Sequence, residues 1–238
     1  MISTHALQAL ANKYQTTELN VRREYVQHLF LSYFYQQAEM DRIYFKGGTA
    51  LRMLFHSPRF SEDLDFASLT TTRPIEQAVL ETLQAIEREN IQTDLKESTK
   101  TSGGYLAIVT FQIEANSVSL ELNISLREGK KKGEVVAIAS DYLPTFTVVS
   151  LVREQLVDEK IQALLSRKKA RDYYDLYFIL RANLLPPAEK RVLPKVLTTL
   201  RQTRIDFGKE LTSFLPKSHW ALIRDFRATC EREIERFL

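Results

Sequence analysis

Cysteine is nearly absent: Cys230 is the single one among 238 residues. An internal disulfide framework is thereby excluded, and the usage fits a reducing cytoplasm. Cys230 lies in a helical pattern and reads as buried filler, not a nucleophile. Four scattered histidines lack zinc-ligand spacing, which argues against a zinc centre. No apolar run approaches the roughly 20 residues of a membrane span. The start, Met1 to Leu7, shows neither the basic residues nor the apolar stretch of a secretory signal. The expectation is a cytoplasmic protein with no membrane partner. There are only seven glycines and seven prolines, and no repeat, low-complexity stretch or Gly/Ser linker. Any two parts of the chain are therefore expected to pack as one body.

What is present is ordinary globular composition, 44% hydrophobic and 26% charged, in a chain long enough for one large domain or two small ones. The net charge of +3 does not demand nucleic acid. Lys130 to Lys132, Arg167 to Arg171 and the segment from Lys190 to Lys209 are basic, and suit a solvated helix face or an RNA-binding surface equally. Residues 19–40 predict a long amphipathic helix from Leu19, Val21, Val26, Leu29 and Phe30. Residues 74–90 predict another, opened by Pro74. A polar loop ends at Gly103-Gly104. Runs 105–113 and 118–126 alternate as a β-hairpin, Gly129 to Gly133 is a basic turn, and 134–139 and 146–151 are further strands. Helices follow at 153–167, 171–183, 188–201 and 216–237. The division is an α/β part over residues 1–150 and a helical part over 151–238.

The chemistry concentrates early. A strand, Ile43 to Phe45, runs into Gly47-Gly48, and a short helix begins at Thr49. Paired glycines before a helix N-terminus leave backbone N–H groups free for phosphate. Asp63 and Asp65 flank Leu64; on a strand over 62–67 both carboxylates share one face. Side-by-side carboxylates repel, and a divalent cation is the usual reason to tolerate them. All-oxygen ligands favour Mg²⁺ or Mn²⁺.

Gly-Gly, fourteen residues, then Asp-Leu-Asp resembles the signature of the polymerase-β-type nucleotidyltransferases. Lys46-Gly-Gly-Thr-Ala-Leu-Arg52 with Arg59-Phe-Ser-Glu-Asp-Leu-Asp-Phe66 is similar to one branch, the AbiEii/AbiGii toxins of bacterial toxin–antitoxin and abortive-infection systems. A second similarity joins Lys160 and Arg167 to Arg171-Asp172 and Asp175. The resemblance implies a nucleotidyltransferase-like mixed sheet with flanking helices and a helical C-terminal half. It implies an NTP substrate and Mg²⁺ on Asp63 and Asp65. Lys46, Gly47, Gly48, Thr49, Arg52, Ser61 and Lys160 are implied at the nucleotide. Of Asp172 and Asp175, one could hold Lys160 or Arg52 and the other could act as base on the acceptor hydroxyl, with Asp175 favoured to face the site. The acceptor is expected to be RNA, the tRNA 3′ end, with translation blocked, and a cognate antitoxin is the expected partner.

The sequence departs from the family at one place. The usual third acid falls nearest Asn123, which carries no charge; Glu121, two residues away on the same strand face, is the candidate to complete the metal site, or else a solvent-facing strand residue. Two other functions stay open: transfer to a protein hydroxyl, on the antitoxin or the enzyme itself, and a nucleotide-binding regulator without catalysis. Tyr173, Tyr174 and Tyr177 read as packing residues before base-stacking platforms.

Overall fold

The structure, a computed structural model, describes residues 2–126 and 130–238. Met1 of the N-terminal reading and Gly129 of the predicted basic turn lie outside the described residues. The chain divides into two compact units, one of Met1–His56 and Phe60–Leu151, the other of Ser57–Arg59 and Val152–Leu238.

The first unit is a seven-stranded mixed sheet with helices α1 (Thr4–Lys13), α2 (Glu18–Phe34), α3 (Gly47–Phe55) and α4 (Thr72–Glu87). Its strands are β1 (Ile43–Lys46), β2 (Leu64–Ser68), β3 (Thr93–Thr101), β4 (Gly104–Ile113), β5 (Asn116–Ser125), β6 (Gly133–Ile138) and β7 (Phe146–Leu151). Their order is β3-β4-β5-β2-β1-β7-β6. The central strand β2 runs antiparallel to β1 and parallel to β5, and β1 runs parallel to β7. This is the nucleotidyltransferase-like mixed sheet that the resemblance implied. Alternation places the residues: in β5, Val118, Leu120, Leu122 and Ile124 are buried, while Glu121 and Asn123 are half-buried on the other face. In α4, Ile75, Val79, Leu83 and Ile86 form the buried stripe.

The structure differs from the sequence-based expectation in four places here. Residues 93–101 form β3, not a polar loop. This is an edge strand, exposed along most of its length, with a bulge between Leu95 and Glu97. It is held by its backbone ladder to β4, and its charged side chains discourage further strand addition, so no hydrophobic alternation announces it. The strand after Asp63 begins at Leu64, and Asp63 precedes it. Helix α1 occupies a stretch for which no element was predicted. Finally, α2 is buried almost all round: Asn20, Arg22, Glu24, Gln27 and His28 are buried with Val21, Val26, Leu29 and Phe30. It packs between α1, α4 and strands β5 and β7, so it has no solvent stripe. Burial brings the His28 imidazole down to about 4 despite the nearby Glu24, and it is neutral at pH 7.

The second unit contains α5 (Arg153–Arg167), α6 (Ala170–Arg181), α7 (Leu193–Gln202), α8 (Phe207–Leu211), α9 (Trp220–Arg224) and α10 (Phe226–Glu235). Helix α6 packs against α5, α8 and α10. Tyr173, Tyr174, Phe207 and Phe226 form its aromatic core, with ring centroids 4.9 to 5.8 Å apart. Tyr173 and Tyr174 are therefore packing residues. Cys230 is buried among them, its thiol pushed up to about 12 by burial, which makes it inert at neutral pH. The expected helix 188–201 begins as a 3₁₀ turn, Pro187–Val192, and the expected helix 216–237 is broken at Asp225, whose backbone leaves helical geometry.

Gly104 opens β4 where β5 runs against it, and a Cβ there would overlap the Ile124 carbonyl oxygen. Gly104→Ala should destabilise the first unit by about 1–3 kcal/mol, the usual cost of overpacking. Faster amide hydrogen exchange along β4 and β5, with the second unit's exchange unchanged, is the expected readout.

Candidate active site

The site is built on the β1–α3–β2 segment. Gly47 follows β1 with φ +84°, a conformation that favours glycine. A Cβ on Gly47 would overlap the Asp65 carboxylate, so the bare backbone is what lets Asp65 sit against the start of α3. The N-cap residue Lys46 makes no side-chain cap, which leaves the first-turn amides without that partner. Thr49 is buried, and its hydroxyl donates to the Asp63 carbonyl at 2.5 Å, tying α3 to the residue before β2.

Register then lays out a row across three strands. Lys46 on β1 pairs with Asp65 on β2, and Asp65 pairs with Asn123 on β5. These three, with Thr101, Ser102, Gly103 and Ser125, line a cleft of about 400 Å³. Asp65 is half-buried, and its carboxylate has no hydrogen bond or ion pair among the described residues. Asn123 Nδ2 donates to Glu121 Oε1 at 2.8 Å. Among the described residues no three Asp, Glu, His or Cys side chains gather into one metal-binding group. Asp63, Asp65 and Glu121, the set expected from sequence, are thus not brought together as a three-acid cluster among the described residues, and the Glu121 carboxylate accepts from the Asn123 amide. The donors around Asp65 are hard oxygens, which suits Mg²⁺ or Mn²⁺.

Arg52 lies one turn into α3 and forms an ion pair with Glu24 of α2. Its guanidinium also stacks 3.5 Å from the Phe60 ring centroid. Glu24 further accepts from the Tyr142 hydroxyl at 2.8 Å. The structure gives Arg52 a structural anchor in the sheet unit. Ser61 is half-buried, and its carbonyl accepts from Gln27 Nε2 at 3.0 Å. Neither Glu24 nor Tyr142 was singled out from sequence, since Glu24 sits among other polar residues of α2 and carries no distinguishing pattern.

The helical unit holds a second charged cluster. Asp175, 2% exposed, accepts from Arg59 Nε at 2.7 Å, from Arg59 Nη2 at 2.9 Å and from Lys160 Nζ at 2.7 Å. Burial alone would raise the Asp175 carboxyl, but Arg59 and Lys160 outweigh it and hold it at about 2. A carboxylate so paired is a weak proton acceptor, and its geometry is that of a clamp on Lys160. Asp172 caps α6, accepting the Lys169 backbone N–H at 3.1 Å, and pairs with Arg167 at 2.7 Å. Arg59 stood within the sequence motif without an assigned role.

A central strand carrying an acid beside a glycine-opened helix places the chain with the nucleotidyltransferase fold. Two solved structures share it. MenT4, a nucleotidyltransferase toxin from Mycobacterium tuberculosis, superposes with a TM-score of 0.67 at 17% identity, covering 100% of this chain and 90% of its own. JHP933 from Helicobacter pylori gives a TM-score of 0.60 at 18% identity, covering 93% and 95%. The family model described as the nucleotidyl transferase AbiEii toxin of Type IV toxin–antitoxin systems matches residues 29–236, and the chain belongs to that family. It is a nucleotidyltransferase of toxin type. No curated protein matches it in sequence. Among the described residues no helix is long and apolar enough to cross a membrane.

Asp175→Asn should strand Arg59 in a buried setting and cost about 3–5 kcal/mol. Trp220, the single tryptophan, lies in the helical unit and reports its urea unfolding by fluorescence. The folded Asp175 titrates below its unfolded value, so its contribution of about 2 kcal/mol is present above pH 4 and is lost as pH falls through about 2. The variant should lack that acid-dependent increment.

Proposed function

We propose that this chain transfers a nucleoside monophosphate from an NTP to an acceptor hydroxyl, with Mg²⁺, or Mn²⁺ in its place, held by Asp63 and Asp65. One observation carries the reading: a half-buried carboxylate without a partner among the described residues, seated against the Gly47 backbone in a cleft it shares with Lys46 and Asn123. The bound cation would offset phosphate charge and polarise the α-phosphate. The amides of Gly47, Gly48 and Thr49 receive phosphate oxygens at the positive end of α3. Lys46 adds positive charge beside them, and the Thr49 hydroxyl keeps Asp63 in place. The acceptor oxygen attacks the α-phosphorus in line, the new P–O bond forms, and pyrophosphate leaves with the electrons of the broken bond while the acceptor proton passes to solvent.

Membership of a toxin family supports an acceptor in the translation machinery, the tRNA 3′ end, and a cognate antitoxin as partner. The exposed Lys168 and Lys169 of the helical unit support contact with RNA. A second reading, nucleotide binding without transfer, draws on the uncharged Asn123 beside Asp65.

Incubation with labelled NTPs, Mg²⁺, total RNA and purified antitoxin separates the outcomes. Label in RNA is expected; label in protein would move the acceptor to a protein hydroxyl, and no label would favour the binding-only reading. Asp63→Asn and Asp65→Asn should each abolish labelling while leaving the circular dichroism spectrum intact. For Lys160, the phosphate-neutralising role implied by the family resemblance predicts a roughly hundredfold slower rate in Lys160→Ala, about 3 kcal/mol at the transition state, with partial recovery in Lys160→Arg. A rate within twofold of wild type would leave Lys160 only its bond to Asp175.

A further inference from the structure

The hydrogen bond from Asn123 Nδ2 to Glu121 Oε1 decides which end of the Asn123 amide faces Glu121. A carboxylate only accepts, so the amide must offer its nitrogen there. The amide oxygen, on the opposite branch of the same planar group, is directed away from Glu121 and accepts no hydrogen bond among the described residues. Asn123 stands beside Asp65 in the parallel β2–β5 ladder, and both line the same cleft. Granting the divalent ion proposed at Asp63 and Asp65, on which this depends, we propose that Asn123 Oδ1 is its neutral third oxygen ligand and that Glu121 is a positioning residue that holds the amide in that orientation.

The chemistry favours this over direct ligation by Glu121. Amide oxygens are hard donors that divalent cations accept alongside carboxylates. An outer group that orients a ligand through a hydrogen bond is typically worth ten- to a hundredfold in metal affinity. With Glu121 already committed to Asn123, the site presents two carboxylates and one neutral oxygen. It should bind a divalent ion more weakly than a three-acid site, with the orientation of one amide setting how much more weakly.

The test is titration of the full chain with Mn²⁺, following the free-ion signal by electron paramagnetic resonance without nucleotide. Asp65→Asn should weaken binding at least tenfold, and Asn123→Ala roughly tenfold. Glu121→Gln can accept from Asn123 but can also donate to it, and should weaken binding less than Glu121→Ala, which frees the amide and should weaken it roughly tenfold. The double change Glu121→Gln with Asn123→Asp restores a third acid without setting it against a charged Glu121 and should bind more tightly than wild type. Glu121→Gln weakened as much as Asp65→Asn would make Glu121 the ligand and overturn the proposal, as would an unchanged Asn123→Ala. Sensitivity to Asp65→Asn with indifference to Asn123→Ala removes this proposal alone. A wild-type chain that binds no Mn²⁺, or an Asp65→Asn variant that binds it normally, removes the divalent-ion reading and this one with it.

Discussion

The close approach of the Asp65 carboxylate to the backbone of Gly47 is the constraint on which the rest of the sheet unit turns. A side chain at residue 47 would occupy the volume of that carboxylate, and the backbone there has a positive φ that other residues adopt at a cost. Once Gly47 is granted, β1 and β2 pair with Lys46 opposite Asp65, α3 starts directly beside the acid, and the Thr49 hydroxyl closes the segment onto Asp63. Acid and helix N-terminus then attract one another through the helix dipole, worth some tenths of a kcal/mol to about 1 kcal/mol. That same pairing sets the negative charge of Asp65 beside the positive end of the α3 dipole.

The two units solve the problem of buried charge in the same way. In the sheet unit Glu24 is shared by Arg52 and Tyr142. In the helical unit Asp175 is shared by Arg59 and Lys160. In each, one acid receives several donors, so its lone pairs are satisfied and removing the acid would leave a cation without compensation. Such clusters add little net stability over apolar packing of equal volume. They do fix the directions of long side chains, and Lys160, which would otherwise sample many rotamers, is held in one place.

Local patterns could be read directly. The start of α3 at the paired glycines, the β4–β5 hairpin and α5 all depend on residues within a few positions of one another, and the sheet class follows from them. What depends on distant partners could not be read. Arg59 and Asp175 meet across 116 residues, and Arg52 meets Glu24 across 28, on a helix whose polar residues read as a solvent face but are buried. The engagement of Glu121 with Asn123 lies between these cases: the spacing put both on one face, but only the hydrogen bond assigns the carboxylate to the amide. Strand β3 escaped notice because an edge strand draws its stability from backbone bonds and carries no apolar signature.

The strand order has a consequence in time. Lys46 and Asp65 come together through a short local connection, but Asn123 joins the row through the β2–β5 pairing and Ser150 reaches Phe45 only from β7. Non-local pairings form late, because the entropy of closing the intervening chain is lost before they contribute. During synthesis the glycine turn and its acid can therefore settle early, while the row cannot be complete until β5 has left the ribosome. A nascent chain halted before that point carries the glycine and aspartate motif without the row that β5 completes, so more than half of the polypeptide must be made before that row can exist.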